Sequence, residues 1–122
     1  MDNFKGGIVE HAIQDKSFQF AIRIVNLYKY LRSEHQEYVL SKQLLRCGTS
    51  IGANVSESQQ AQSKADFVSK MSIALKESYE TDYWLRLLYS TQYLQENAYL
   101  SIISDCKELQ KLLVTIIKTA KQ

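Results

Sequence analysis

The chain has 122 residues, of which 45% are apolar and 23% charged, with a formal net charge of +2 and a pI of about 8.5. This length fits one domain that buries a real core without staples, and the charge is too mild to argue nucleic-acid binding by itself, because basic domains usually exceed a pI of about 9. No apolar run approaches the roughly 18 residues of a membrane span, and the absence of proline favours long helices, which proline would interrupt.

The first residues, MDNFKGGIVEHAI, lack a basic start followed by an apolar core. No secretory signal is expected there, and the location implied is cytoplasmic. Weak periodicity and the Gly6-Gly7 pair predict a mobile N-terminal arm over 1–14, with the bundle occupying 15–122. The first helix is predicted over 17–33, where Phe20, Ile24, Leu27 and Leu31 recur at spacings of 4, 3 and 4. The short polar SEHQE segment then turns the chain back.

The second helix, predicted over 37–61, carries Leu40, Leu44, Cys47, Ile51, Asn54, Ser58 and Ala61 in one unbroken stripe. It also contains LLRCGTSIGANVSE, with Gly48 and Gly52 one turn apart. Each glycine weakens a helix by about 1 kcal/mol, but small residues at this spacing let two backbones approach closely. A continuous helix with a thin face is the reading that keeps the period. The alternative is a helix–turn–helix capped by Thr49 or Ser50.

Ser63 reads as the cap of a third helix over 64–91, with Asp66 as its partner three residues on. Its stripe is Phe67, Met71, Ala74, Ser78, Thr81, Leu85 and Leu88, and Val68, Leu75, Tyr79, Tyr83, Trp84 and Leu87 add apolar surface beside it. After TQYLQEN, with Asn97 as the expected cap, the fourth helix spans 98–120 on Tyr99, Ile102, Cys106, Leu109, Leu113, Ile116 and Ala120. Four such stripes predict an all-α, antiparallel, up-down-up-down four-helix bundle with left-handed, near-parallel packing.

Chemistry-bearing motifs are sparse. His11 falls in the arm and His35 in a turn, no Glu-x-x-His pair occurs, and no glycine-rich phosphate loop follows a strand. Cys47 and Cys106 sit inside helical patterns and read as reduced core thiols. The expectation is a protein that is not an enzyme and has no cofactor and no metal site.

A polar set stands out instead. Arg46, Ser50, Asn54 and Glu57 lie on the second helix and Glu77 and Glu80 on the third. An Arg–Glu pair and an asparagine between two helices either set their register, at some cost in stability, or line a groove for a ligand. Lys107, Lys111 and Lys118 share one face of the fourth helix, with Lys121 near. Such a stripe tracks phosphates non-specifically or is simply solvated. Tyr30, Tyr89 and Tyr93 either stack on bases or pack at the edge of the core.

The stretch LLRCGTSIGANVSESQQAQSKADFVSKMSIALKESYETDYWLRLL resembles the 23S rRNA intervening-sequence protein family of four-helix-bundle proteins, sometimes labelled ribosomal. Arg46, Ser50-Ile51, Asn54, Glu57, Glu77, Glu80 and the Tyr83-Trp84-Leu85 run carry the likeness, which extends from about Phe18 to Lys118. Many members have proline where Gly52 stands here. The resemblance implies a small cytoplasmic bacterial protein that contacts RNA or DNA. Related proteins of similar fold form pentamers, so a homopentamer is implied, and the surplus apolar surface of the third helix places its interface at Tyr83, Trp84 and Leu87. The function expected is a non-catalytic, RNA-binding accessory role. A protein–protein adaptor with a protein partner and no nucleic-acid role is the alternative.

Overall fold

A computed structural model describes residues 7–122. Four helices follow one another: α1 (Ile8–His35), α2 (Leu40–Ser58), α3 (Lys64–Ser90) and α4 (Glu96–Lys121). No strand occurs among the described residues. Each helix packs on the two that flank it in a closed ring of four, and the α1–α4 seam is the loosest. Cross-helix pairs give the directions. Arg46 meets Glu80 while Glu57 meets Lys70, and Arg23 meets Asp105 while Lys16 meets Glu108. Rising numbers on one helix meet falling numbers on its neighbour, so adjacent helices run antiparallel and the molecule is an up-down-up-down four-helix bundle.

The ends of the helices follow local chemistry. Ser63 is extended and its hydroxyl accepts from the Asp66 N–H at 3.0 Å, while Asp66 Oδ2 accepts from the Gln62 N–H at 3.3 Å. α1 stops where Gln36 turns left-handed, at φ 50°. Glu37 then serves α2 from outside. Its carboxylate accepts from the Ser41 N–H at 2.7 Å and the Val39 N–H at 3.2 Å, supplying acceptors that the start of a helix otherwise lacks.

α2 runs unbroken through Thr49 and Ser50, so the helix–turn–helix alternative is excluded. A Cβ on Gly48 would lie 2.7 Å from Ile24 Cγ1, and one on Gly52 would lie 3.1 Å from the Ser17 carbonyl oxygen. The thin face of α2 therefore lies against α1.

Four expectations need correction. α1 starts at Ile8, so the segment read as arm is helical from there, and His11 belongs to a helix; residues 1–6 of that arm lie outside the described residues. The core stripe continues back through Ser17 and Ile13 to Glu10, all buried, and the two polar members hide it from a reading based on apolar spacing. On α2, Val55 and not Asn54 occupies the core, because close approach at the glycines turns the buried face toward Leu44, Gly48, Ile51 and Val55. Asn54 is half-buried beside it. α2 ends at Ser58, although Ala61 remains buried. α4 begins at Glu96 with Gln95 before it, so Asn97 sits inside the first turn, where its Oδ1 accepts from the Ala98 N–H at 2.8 Å.

Candidate nucleic-acid interface and polar seam

The α2–α3 seam is closed from outside by two sets of charges. Arg46 reaches Glu77 at 3.4 Å and Glu80 more closely, and Lys70 reaches Glu57 at 3.1 Å. Glu77 is the more enclosed partner, its side chain 17% exposed against 51% for Arg46. Between the two sets, the Asn54 amide donates back to the Ser50 carbonyl at 2.9 Å and to the Ser50 hydroxyl at 3.1 Å. Its hydrogen bonds thus stay within α2. The indole N–H of Trp84 donates to Glu80 Oε2 at 3.0 Å, which joins Arg46, Glu80 and Trp84 in one chain of contacts.

Of the side chains expected at a subunit interface, Trp84 is half-buried and packs on the core, Leu87 is partly covered, and Tyr83 is 49% exposed. Trp84 lies on the flank of α3 toward α2, where Glu80 receives it. Tyr83 is the more exposed of the pair, its ring edge-on to Trp84 at 5.1 Å.

The other flank of α3 faces α4. Asp82 accepts from Lys107 at 3.3 Å and from the Gln110 amide at 3.1 Å, which fixes its direction. Lys76, Tyr79, Tyr83 and Arg86 recur along α3 at spacings of 3, 4 and 3 and are all exposed. Arg86 lies 6.0 Å from the centre of the Tyr83 ring. On α4, Lys107, Lys111 and Lys118 are exposed at helical spacing, with Lys121 in the last turn. Lys107 is neutralised in part by Asp82, whereas Lys111, Lys118 and Lys121 meet no carboxylate among the described residues.

Arg46 holds Glu77 and Glu80 on the α2 side of α3, and Asp82 faces Lys107 on the α4 side. Lys76, Tyr79 and Arg86 escaped the sequence reading as a set. Their 3-4-3 spacing is visible in the chain, but Tyr79 and Tyr83 were absorbed into the apolar flank of the third helix.

The thiols do not form a reactive site. Burial pushes Cys47 up to about 11 and Cys106 up to about 12. Cys106 donates to the Ser78 carbonyl at 3.4 Å. No group of three His, Cys, Asp or Glu side chains that could hold a metal ion occurs among the described residues. None of the described helices is long and apolar enough to cross a membrane.

Comparison with known proteins places this geometry. No curated protein sequence matches the chain. The chain is similar to a protein of unknown function from the S23 ribosomal protein family of Bacteroides thetaiotaomicron, whose crystal structure was solved at 1.70 Å. The two are 56% identical over 91% of this chain and 99% of that one, with a TM-score of 0.90. The model of the 23S rRNA-intervening sequence protein family matches residues 10–115. With the fold, the polar seam and this match in agreement, the chain belongs to the 23S rRNA-intervening sequence protein family.

Proposed function

We propose that the protein is a non-catalytic RNA-binding accessory protein of the cytoplasm that works as a homo-oligomer. The observation that carries this reading is the exposed row of Lys76, Tyr79, Tyr83 and Arg86 on α3 together with exposed Lys107, Lys111 and Lys118 on its neighbour α4. Cations that neutralise phosphates, interleaved with rings on which bases stack, are the two components of single-strand binding. Assembly multiplies this face, so the small charge of one chain is compatible with useful affinity. The other flank of α3, with Ile73 41% exposed and Trp84 and Leu87 partly covered, is the surface proposed to meet another copy. Five copies is the size suggested by the family likeness.

Mass measurement of the native assembly with and without a ribosomal RNA fragment tests both parts. Several identical subunits and an added RNA mass are expected. Affinity for the fragment falls steeply with salt, and replacing Lys111 and Lys118 by glutamine lowers the salt slope by roughly one per lysine. A monomer, or RNA binding that is absent or indifferent to salt, would overturn the reading. A defined protein partner captured after nuclease treatment, with no RNA affinity, would establish the adaptor role in its place.

A further inference from the structure

The loosest seam of the bundle opens into a cleft of about 500 Å³ between α1 and the start of α4. That volume lies within the range of small-molecule sites, roughly 300–1,000 Å³. Its apolar lining comes from Leu27, Leu94 and Ile102, the last two almost wholly buried. Its polar lining is unusual in kind, since three of the side chains are carboxamides: Asn26 from α1, Gln95 from the turn and Asn97 from the first turn of α4. No carboxylate among the described residues lines it.

We propose that this cleft between Tyr30, Arg23 and the Asn26–Gln95–Asn97 carboxamides is a pocket for one unpaired nucleobase, adenine foremost. The inference deepens the RNA-binding reading and rests on it for the biological source of the base.

Charge narrows the ligand first. The only ionised lining group among the described residues is Arg23, and it is already committed, to Asp105 at 2.7 Å and to the Ser101 hydroxyl at 3.1 Å. A cation finds no acid among the described residues of the cleft, and a strongly charged anion finds a guanidinium paired with a carboxylate. A neutral ligand fits best. The hydrogen-bonding groups narrow it further. A carboxamide offers a donor and an acceptor side by side, the complement of a base edge, and asparagine or glutamine pairs in this way with N6 and N7 of adenine. Asn26 and Gln95 make no side-chain hydrogen bond among the described residues, and the Asn97 amide uses only its oxygen. Their bonding capacity is open to a ligand.

The shape agrees. A flat base needs apolar contact on its faces, which the leucines, Ile102 and the Tyr30 ring provide. Tyr30 is held in place from behind: its hydroxyl lies 3.1 Å from His35 Nε2, its ring meets the His35 ring edge-on at 5.3 Å, and His35 meets Tyr93 at 5.6 Å. Past Arg23 the seam continues as a second hollow, where Arg23 pairs with Asp105 and Lys16 with Glu108.

The test is a titration of the full chain with adenosine, which has no phosphate, followed by NMR. The side-chain amide signals of Asn26, Gln95 and Asn97 and the ring signals of Tyr30 are expected to move together and saturate. Asn26→Ala with Asn97→Ala, both at exposed positions, is expected to weaken adenosine by about tenfold with backbone signals elsewhere unchanged. Purine riboside, which lacks the 6-amino group, should bind more weakly to the native chain. Absence of saturable shifts at the cleft, or shifts unaltered in the double variant, would overturn the pocket, even where RNA binds through the lysine face. Occupation of the cleft by a neighbouring copy would show the same silence and overturn it too. An RNA fragment that fails to bind while adenosine saturates the cleft would support the pocket and remove the RNA-binding reading.

Discussion

Gly48 shows how one absent methyl group sets the distance between two helices. An alanine there gains about 1 kcal/mol of helix propensity. Its Cβ would also lie within 2.9 Å of three carbons of the buried Ile24 side chain, and overpacking of a tight core costs about 1–3 kcal/mol. Ile24 is branched at Cβ and wholly enclosed, so it has little room to turn away. Gly48→Ala is expected to lower stability by about 1 kcal/mol net, read as a lower denaturant midpoint. At Gly52 the nearest atom is farther, 3.1 Å away, and the same change is expected to cost less. A Gly48→Ala protein more stable than the native chain would show that the thin face is not needed.

Glu37 makes a different residue-level prediction, tied to pH. Burial raises its pKa, but the Ser41, Leu40 and Val39 N–H groups and the Ser41 hydroxyl together outweigh that, and the carboxyl sits below its ordinary 4.5. The folded state therefore favours the ionised form. The stabilisation is complete above pH 4.5 and fades as the pH falls through the lower value in the folded protein. Glu37→Gln keeps the shape and loses the charge. It is expected to cost about 1 kcal/mol at neutral pH, with native and variant midpoints converging as the pH falls below 4.5. A constant gap across that range would rule out the ionised carboxylate as the cause.

At the scale of the helix, the α2–α3 seam distinguishes register from stability. Arg46 is half exposed, and exposed ion pairs contribute only about 0.2–1 kcal/mol. Arg46→Ala, Glu80→Ala and the double variant are expected to give a coupling energy in that range. The chain has one tryptophan, Trp84, bonded to Glu80, so its fluorescence should respond to Glu80→Ala more than to Arg46→Ala. A coupling of several kcal/mol would mean that the pair carries stability as well as alignment.

Helices also explain which parts of the molecule are legible in sequence. α3 and α4 bury stripes that run from Phe67 to Leu88 and from Ile102 to Ala120, because both are almost continuously apolar or small at helical spacing. The first turns of α1 are not legible, since Glu10 and Ser17 occupy core positions and apolar periodicity is blind to a buried polar group that has found partners. The displacement of Asn54 by Val55 has another cause. A spacing rule has no knowledge of which neighbour comes closest, and the two glycines draw α1 onto one side of α2. Arg46, Glu77 and Glu80 can be placed together from antiparallel register alone. The row of Lys76, Tyr79, Tyr83 and Arg86 cannot, because tyrosine is both an apolar and a polar residue, and only the observed exposure of Tyr79 and Tyr83 separates them from the core.

The whole molecule behaves as one core, and its two thiols report on it. Cys47 on α2 and Cys106 on α4 are fully enclosed. Burial keeps their thiols protonated, near 11 and 12, whereas a reagent needs the thiolate. Cys106 is held against the Ser78 carbonyl of α3, so exposing it requires α3 and α4 to part. The α1–α4 seam is the loosest in the ring, and the ion pairs across it, Lys16–Glu108 and Arg23–Asp105, are partly exposed. Separation of α1 from α4 alone leaves both sulfurs covered by α3. At about pH 8, modification by a thiol reagent is therefore expected to be slow, to affect both cysteines at the same rate, and to accelerate with denaturant along the global unfolding curve. Unequal rates, with Cys106 reacting under conditions where Cys47 stays protected, would show that α4 leaves the bundle by itself and that the ring opens at more than its weakest seam.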